Sequence, residues 1–373
     1  MFRHSENAVR NPNTTRLLPA IYGALHALVD AASVTVVLRA CRLHDLDPAV
    51  AFALVVAYDV IAFGSQLIFG WIIDRLCRPR QATMVGLGLT AACIALLPVS
   101  PYAAMACAGV GNSLFHLGAG ASVLNLGLDR SSSAGIFVAP GVLGLGFGLY
   151  YGKTPSLGPV WPLAILLMLG FAIVAWMLRG PETPRKAPSF TTPGMPNGSL
   201  ILLLLLGSIA IRSLVGMSAS RGVPRSEWLL PGIAIAAFAG KSIGGILADR
   251  YGWIVVTVGA LVLSAPWIAM GRQNLPSLLL GLPLFQMTMP VTLVAVARVM
   301  PRYPATAFGL TCLALLLGAL PTMFAWGLAT CSSTMLPVWI ALSAVFLYAG
   351  LRPIAVDQMS PSRAALAQIG ENS

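Results

Sequence analysis

The chain has 373 residues, 23 of them Lys or Arg and 12 Asp or Glu, and 57% are hydrophobic. Charged residues make up 9% against roughly 25% in a soluble protein, too few to cover a water-facing surface, so a soluble enzyme is excluded and lipid is the expected solvent. The net charge of +11 forms no basic stripe with interleaved aromatics, which excludes nucleic acid as a partner; it falls between apolar runs, where it sets orientation.

Residues 1–16 are polar, too long a lead for a cleaved signal peptide, so the first apolar run is expected to stay in the membrane. Twelve runs of about 20 mainly apolar residues can each span a bilayer. The first six are 17–38, 49–73, 84–99, 102–128, 134–151 and 160–178. The second six are 199–218, 229–248, 253–270, 275–299, 305–327 and 336–351. The alternating ten-residue segments of a barrel are absent, so the expected fold class is an all-α membrane protein. With the N-terminus inside, the inner segments hold fifteen of the loop basic residues. The outer ones hold six (Arg39, Arg42, Lys153, Arg221, Arg225, Arg272), which places both termini in the cytoplasm, in a cell or inner membrane. Between the sixth and seventh spans, residues 179–198 carry Pro181, Pro184, Pro188, Pro193 and Pro196. That stretch reads as a cytoplasmic linker between halves 17–178 and 199–351, with a cytoplasmic tail from 352 to 373.

Six cysteines include no CxxC pair and no Cys/His cluster, so structural zinc is not expected. Cys41 and Cys331 both fall in outer loops, where a disulfide between them is open.

The halves repeat. Phe63 to Arg75 reads FGSQLIFGWIIDR, and 175 residues later Phe238 to Arg250 reads FAGKSIGGILADR. HALVDAAS from His26 lines up with RSLVGMSAS from Arg212, and GNSLFH from Gly111 with GLPLFQ from Gly281. Repeated helical halves with a site where they meet are a recurring plan of secondary transporters.

Gly70, Asp74 and Arg75, followed by Arg78 and Arg80, resemble the loop motif G-x-L-A-D-R-x-G-R-K of the major facilitator superfamily, with Cys77 where the motif has Gly. Its echo is Gly245, Asp249 and Arg250, followed by Tyr251-Gly252. Gly135 to Gly144, with Pro140 at its centre, is similar to the glycine-proline motif of that superfamily's antiporters. His26-Ala-Leu-Val-Asp30 and Gly109-Val-Gly111-Asn-Ser-Leu-Phe115-His116 resemble the fosmidomycin-resistance exporters within it, with Leu117-Gly118 in place of that family's Pro-Glu. The resemblance implies two pseudo-symmetric six-helix bundles that rock about a central site lined by helices one, four, seven and ten. It also implies conformational gating by the two loop motifs and Pro140. Physically, a Gly one turn before the Asp lets helices approach closely. The Asp can then sit at a neighbouring helix N-terminus or against an Arg, a contact made in one state and broken in the other. The plainer alternative is a basic loop that sets topology.

A charge at the centre of a span costs roughly 2.5–3.5 kcal/mol on insertion scales, so each one asks for a reason. His26, Asp30, Asp59, His116, Arg212 and Lys241 all fall near mid-depth. His26 and Asp30 are one turn apart on one helix face. They read either as a proton-coupling pair or as an internal ion pair, Asp30 meeting Arg212 or Lys241. Arg212 and Lys241 suit an anionic substrate group, or neutralisation by Asp30 and Asp59. His116 and Asn112 on span four, and Gln286 and Thr288 on span ten, present polar faces as candidate substrate contacts. Asp59 has no repeat partner and is expected to pair within its own half.

The expected function is a proton-coupled exporter of a small anionic or amphiphilic compound, working as a monomer in lipid by alternating access, with no cofactor. The alternatives are a symporter or uniporter for uptake, or a divalent-metal exporter using His26, Asp30 and His116.

Overall fold

The structure, a computed structural model, describes residues 12–128, 130–177, 197–219, 223, 229–324, 332 and 334–359, without the side chains of 12–16 and 356–359. Cys331 and all but the last two residues of the linker expected at 179–198 lie outside the described residues.

The first half contains α1 (Pro12–Leu43), α2 (Pro48–Leu76), α3 (Pro79–Leu96), α4 (Pro101–Leu124), α5 (Ser131–Lys153) and α6 (Trp161–Met177). The second contains α7 (Gly198–Ala219), α8 (Leu229–Tyr251), α9 (Trp253–Gly271), α10 (Leu275–Val299), α11 (Pro304–Met323) and α12 (Met335–Met359). Among the described residues, nine are long and apolar enough to cross a bilayer. The others are α3 and α4, rich in small and polar residues, and the shorter α6. The surface is apolar, with Ile68, Leu203, Val255 and Leu263 each exposed. By contrast His26, Asn112, His116, Arg212, Thr288 and Thr292 are buried, the distribution expected of a bundle solvated by lipid.

Local signals in the chain set the helix boundaries. Proline at the first turn starts α2, α3, α4 and α11, since it loses no hydrogen bond there and arrives with a helical φ. That is why α3 begins at Pro79, five residues before its expected start. Asp47 and Ser100 cap α2 and α4 by accepting from Ala49 N–H and Ala103 N–H. α2 contains a π-turn at Val60–Gly64 and ends at Cys77, which adopts φ 54. Gly252, the repeat equivalent of Cys77, has φ 97 after α8, so both halves finish this helix with a left-handed residue.

Packing obeys the repeat. α1 lies on α5 as α7 lies on α11; α3 packs on α4 and α6 as α9 packs on α10 and α12. Between halves, α2 meets α11 and α5 meets α8, partnerships that exchange under the same twofold relation. The tightest crossings match as well. A methyl at Gly144 would stand 1.9 Å from the Ala27 carbonyl oxygen, and one at Gly318 would stand 2.0 Å from that of Ala210. We call the end where α1 begins and α12 finishes the near end, and the other the far end.

Candidate functional site

α1 and α4 pack against each other, and the polar face of each, two residues one turn apart, turns inward. His26 Nε2 stands 3.2 Å from an Asp30 carboxylate oxygen, and His116 Nε2 stands 3.6 Å from the other. Asn112 donates from its amide to Asp30 at 2.9 Å, while its own Oδ1, also buried, has no hydrogen-bond partner among the described residues. The two imidazoles meet edge to face with Nε2 atoms 2.7 Å apart.

The protons of this cluster can be counted. His26 Nδ1 lies 3.0 Å from the Phe137 carbonyl, and His116 Nδ1 lies 2.8 Å from that of Asn112. A carbonyl only accepts, so both Nδ1 atoms carry hydrogen. Two neutral rings would then point lone pairs at each other across 2.7 Å. A proton placed between the Nε2 atoms would resolve the contact, with the Asp30 carboxylate 3.2 and 3.6 Å away to balance it. The cluster thus sets two imidazole nitrogens and a carboxylate around one point, an arrangement able to accept a single proton. Asp30 pairs with His26 and His116, not with Arg212 or Lys241, because the α1–α4 contact brings His116 to it first.

In the second half, Arg212 on α7 is buried and spreads its guanidinium over α10. It donates to Thr288 Oγ1, to Thr292 Oγ1 at 2.9 Å and to the Ser208 carbonyl at 3.3 Å. No carboxylate of the described residues lies within ion-pair distance of it. Lys241 on α8 has no hydrogen-bond or ion-pair partner among the described residues, and its charge is close enough to interact with those of Asp30 and Arg212. Contact neutralisation of these cations by Asp30 and Asp59 is thus not what the fold builds. Asp59, expected to pair within its half, has no partner among the described residues either; it stands immediately before the π-turn of α2. Gln286 on α10 likewise makes no hydrogen bond among the described residues.

Two rings close the near side of the cluster. Phe137 of α5 lies 5.0 Å from the His26 ring, and Phe308 of α11 lies 6.3 Å from His116 and 6.0 Å from Phe137. Beyond them, the repeated loop residues join the halves. Asp74 accepts from Ala305 N–H at 3.0 Å and from Thr306 N–H and Oγ1–H at 2.7 Å, capping α11. Asp249 accepts from Ser131 N–H and Oγ–H at 2.7 Å and from Ser132 N–H at 2.9 Å, capping α5. Methyl groups at Gly70 and Gly245 would each stand 2.7 Å from a backbone oxygen of the partner helix, Ala305 and Ser131 respectively. The accompanying cations serve elsewhere: Arg75 lies over Trp71, Arg250 over Tyr251, and Arg78 donates to Gln81. Pro140 sits inside α5, where it packs near Gly23 of α1.

Thr292, Phe137, Phe308 and the capping residues Ser131 and Thr306 were not singled out from sequence. Thr292 lies one turn beyond Thr288, and both caps open a helix directly after a loop, so each left a faint local trace.

No family model matches the sequence, and no curated protein does. Solved structures resemble the fold. The major facilitator superfamily transporter FucP in its outward conformation superposes at TM-score 0.69 with 13% identity, covering 90% of this chain and 99% of that one. A bacterial homologue of the iron transporter ferroportin, outward-facing, gives 0.63 at 15% identity, covering 93% and 100%. The human organic anion transporter TETRAN gives 0.62 at 18% identity, covering 91% and 99%. The chain has the major facilitator fold, its described residues forming twelve helices in two pseudo-symmetric six-helix bundles.

Proposed function

We propose that this protein is a proton-coupled secondary transporter that exports a small anionic or amphiphilic compound by alternating access, as a monomer, with its near end in the cytoplasm. One observation carries the reading. Two cations without carboxylate partners among the described residues, the buried Arg212 and the half-buried Lys241, belong to the second half, and a cluster able to accept a single proton belongs to the first. Unpaired charge at mid-membrane is costly, and an anion bound between the halves would relieve it. The forked guanidinium, already oriented by Thr288 and Thr292, suits a carboxylate, phosphate or phosphonate.

In this reading the described state is closed at the near end by the Asp74 and Asp249 caps and by the Phe137–Phe308 contact. Opening to the cytoplasm requires both caps to part, which the Gly70 and Gly245 crossings permit as a rocking of rigid halves. The proton of the cluster and the anion at Arg212 can then bias the two facing states differently, which is the condition for coupling.

The test is flux in proteoliposomes of purified protein under an imposed pH gradient, with organic acids and phosphonates as candidate cargo. Substrate movement against the direction of proton flow supports export by antiport. Movement in the same direction replaces it with symport, and no gradient-dependent flux of any anion overturns the reading.

A further inference from the structure

We infer that the His26–Asp30–His116 cluster is also a binding site for a divalent first-row transition cation. The inference concerns the same cluster as the proposed function and rests on that reading only for water reaching the cluster.

Three features point to a metal ligand set. The donor atoms of His26, Asp30 and His116 all lie within 4.8 Å of one another. Both histidines are held by Nδ1–H donation to backbone carbonyls, those of Phe137 and Asn112, which leaves the Nε2 lone pairs for the cation and is the outer-shell arrangement that orients metal-bound imidazole. The donors are two imidazoles and a carboxylate, a set suited to Zn2+, Co2+ and Fe2+ and with no preference for Mg2+ or Ca2+. The Asn112 amide steadies Asp30 from the side.

The fit needs a small adjustment. Two nitrogens bound tetrahedrally at about 2.0–2.1 Å stand about 3.3 Å apart, against 2.7 Å between the Nε2 atoms here. Each ring must withdraw by about 0.3 Å, a distance side-chain torsions absorb. All three ligands come from α1 and α4, so the site stays assembled whichever way the halves rock.

The probe is Co2+ titrated into detergent-solubilised full-length protein purified without a histidine tag, followed by visible absorption and calorimetry. The expected result is one saturable site per chain, with ligand-field bands and no sulfur-to-cobalt charge-transfer band. Affinity should fall at least tenfold in His116→Gln and in His26→Gln. Absence of saturable binding, a thiolate band, or undiminished affinity in both variants overturns the inference. The transport reading is scored separately by flux without added metal: a wild-type protein that moves anions but binds no Co2+ refutes the metal site alone. One that binds Co2+ and moves no anion refutes the transport reading alone.

Discussion

Asp74 and Asp249, 175 positions apart, perform the same act at two places: each carboxylate accepts from the first two backbone N–H groups of a helix in the opposite half. Their surroundings differ. Asp74 is buried, whereas Asp249 is exposed. Water and salt weaken the second cap more than the first.

The Asp74 cap is expected to stabilise the near-closed state by about 1–2 kcal/mol, as a carboxylate at a partly buried helix N-terminus does. Asp74→Asn should then shift the population toward the near-open state about five- to thirtyfold, and Asp249→Asn should shift it less. Pulsed electron resonance between spin labels on the near ends of α2 and α11 measures the shift. Equal effects from the two variants would remove burial as the deciding difference.

Asp30→Asn should abolish flux driven by a pH gradient while substrate exchange at equal pH survives, because the amide leaves the fold intact but cannot balance an imidazolium. Retained gradient-driven flux takes Asp30 out of the coupling step. Loss of both activities assigns the residue to structure instead.

Arg212→Gln should raise the apparent KM for an anionic cargo at least tenfold. Arg212→Lys should recover little of it, since an ammonium cannot hold Thr288, Thr292 and the ligand in one plane. Lys241→Gln should have the smaller effect, Lys241 being a point charge with no fixed partner among the described residues. Initial-rate measurements over a range of cargo concentration check both statements.

Cys77→Gly should stabilise the protein by about 1 kcal/mol. A residue with a Cβ in the left-handed region costs about 1–2 kcal/mol, and glycine removes that cost, as it does at Gly252 in the other half. Thermal unfolding in detergent reads the gain. A lowered melting temperature would show that the thiol contributes more than the backbone loses.

Gly144→Ala should destabilise strongly, and so should Gly318→Ala. Each added methyl meets a backbone oxygen at about 2 Å, which cannot yield as a side-chain tip would, so the expected loss is about 1–3 kcal/mol or more. Reduced yield of monodisperse protein and an earlier melting transition are the readouts.

Much of this architecture was legible in the sequence for physical reasons. Span number followed from apolar runs, since twelve stretches are mainly apolar for long enough. The Gly-Asp-Arg sets were visible because a close crossing and a helix cap constrain side chains locally and occur twice. The His26–Asp30 stacking followed from the helical period alone. What stayed hidden depended on how helices rotate against one another. Asp30 was open to Arg212, Lys241 or neither, and only the α1–α4 contact gives it His116. Thr292 looks like ordinary helix filler until Arg212 is seen lying across it and Thr288. Gln286 sits on the expected face yet holds no hydrogen bond among the described residues. Asp59 lacks the partner anticipated for it among the described residues, where it stands immediately before the π-turn of α2.

Every group of the His26–Asp30–His116 cluster belongs to one bundle, while Arg212 and Lys241, without carboxylate partners among the described residues, belong to the other. On the proposed reading, energy source and cargo preference are then encoded in separate stretches of chain. Selection can retune one without disturbing the other, and grafting residues 199–351 of a related carrier onto the first bundle is the natural route to a hybrid with inherited drive and altered appetite.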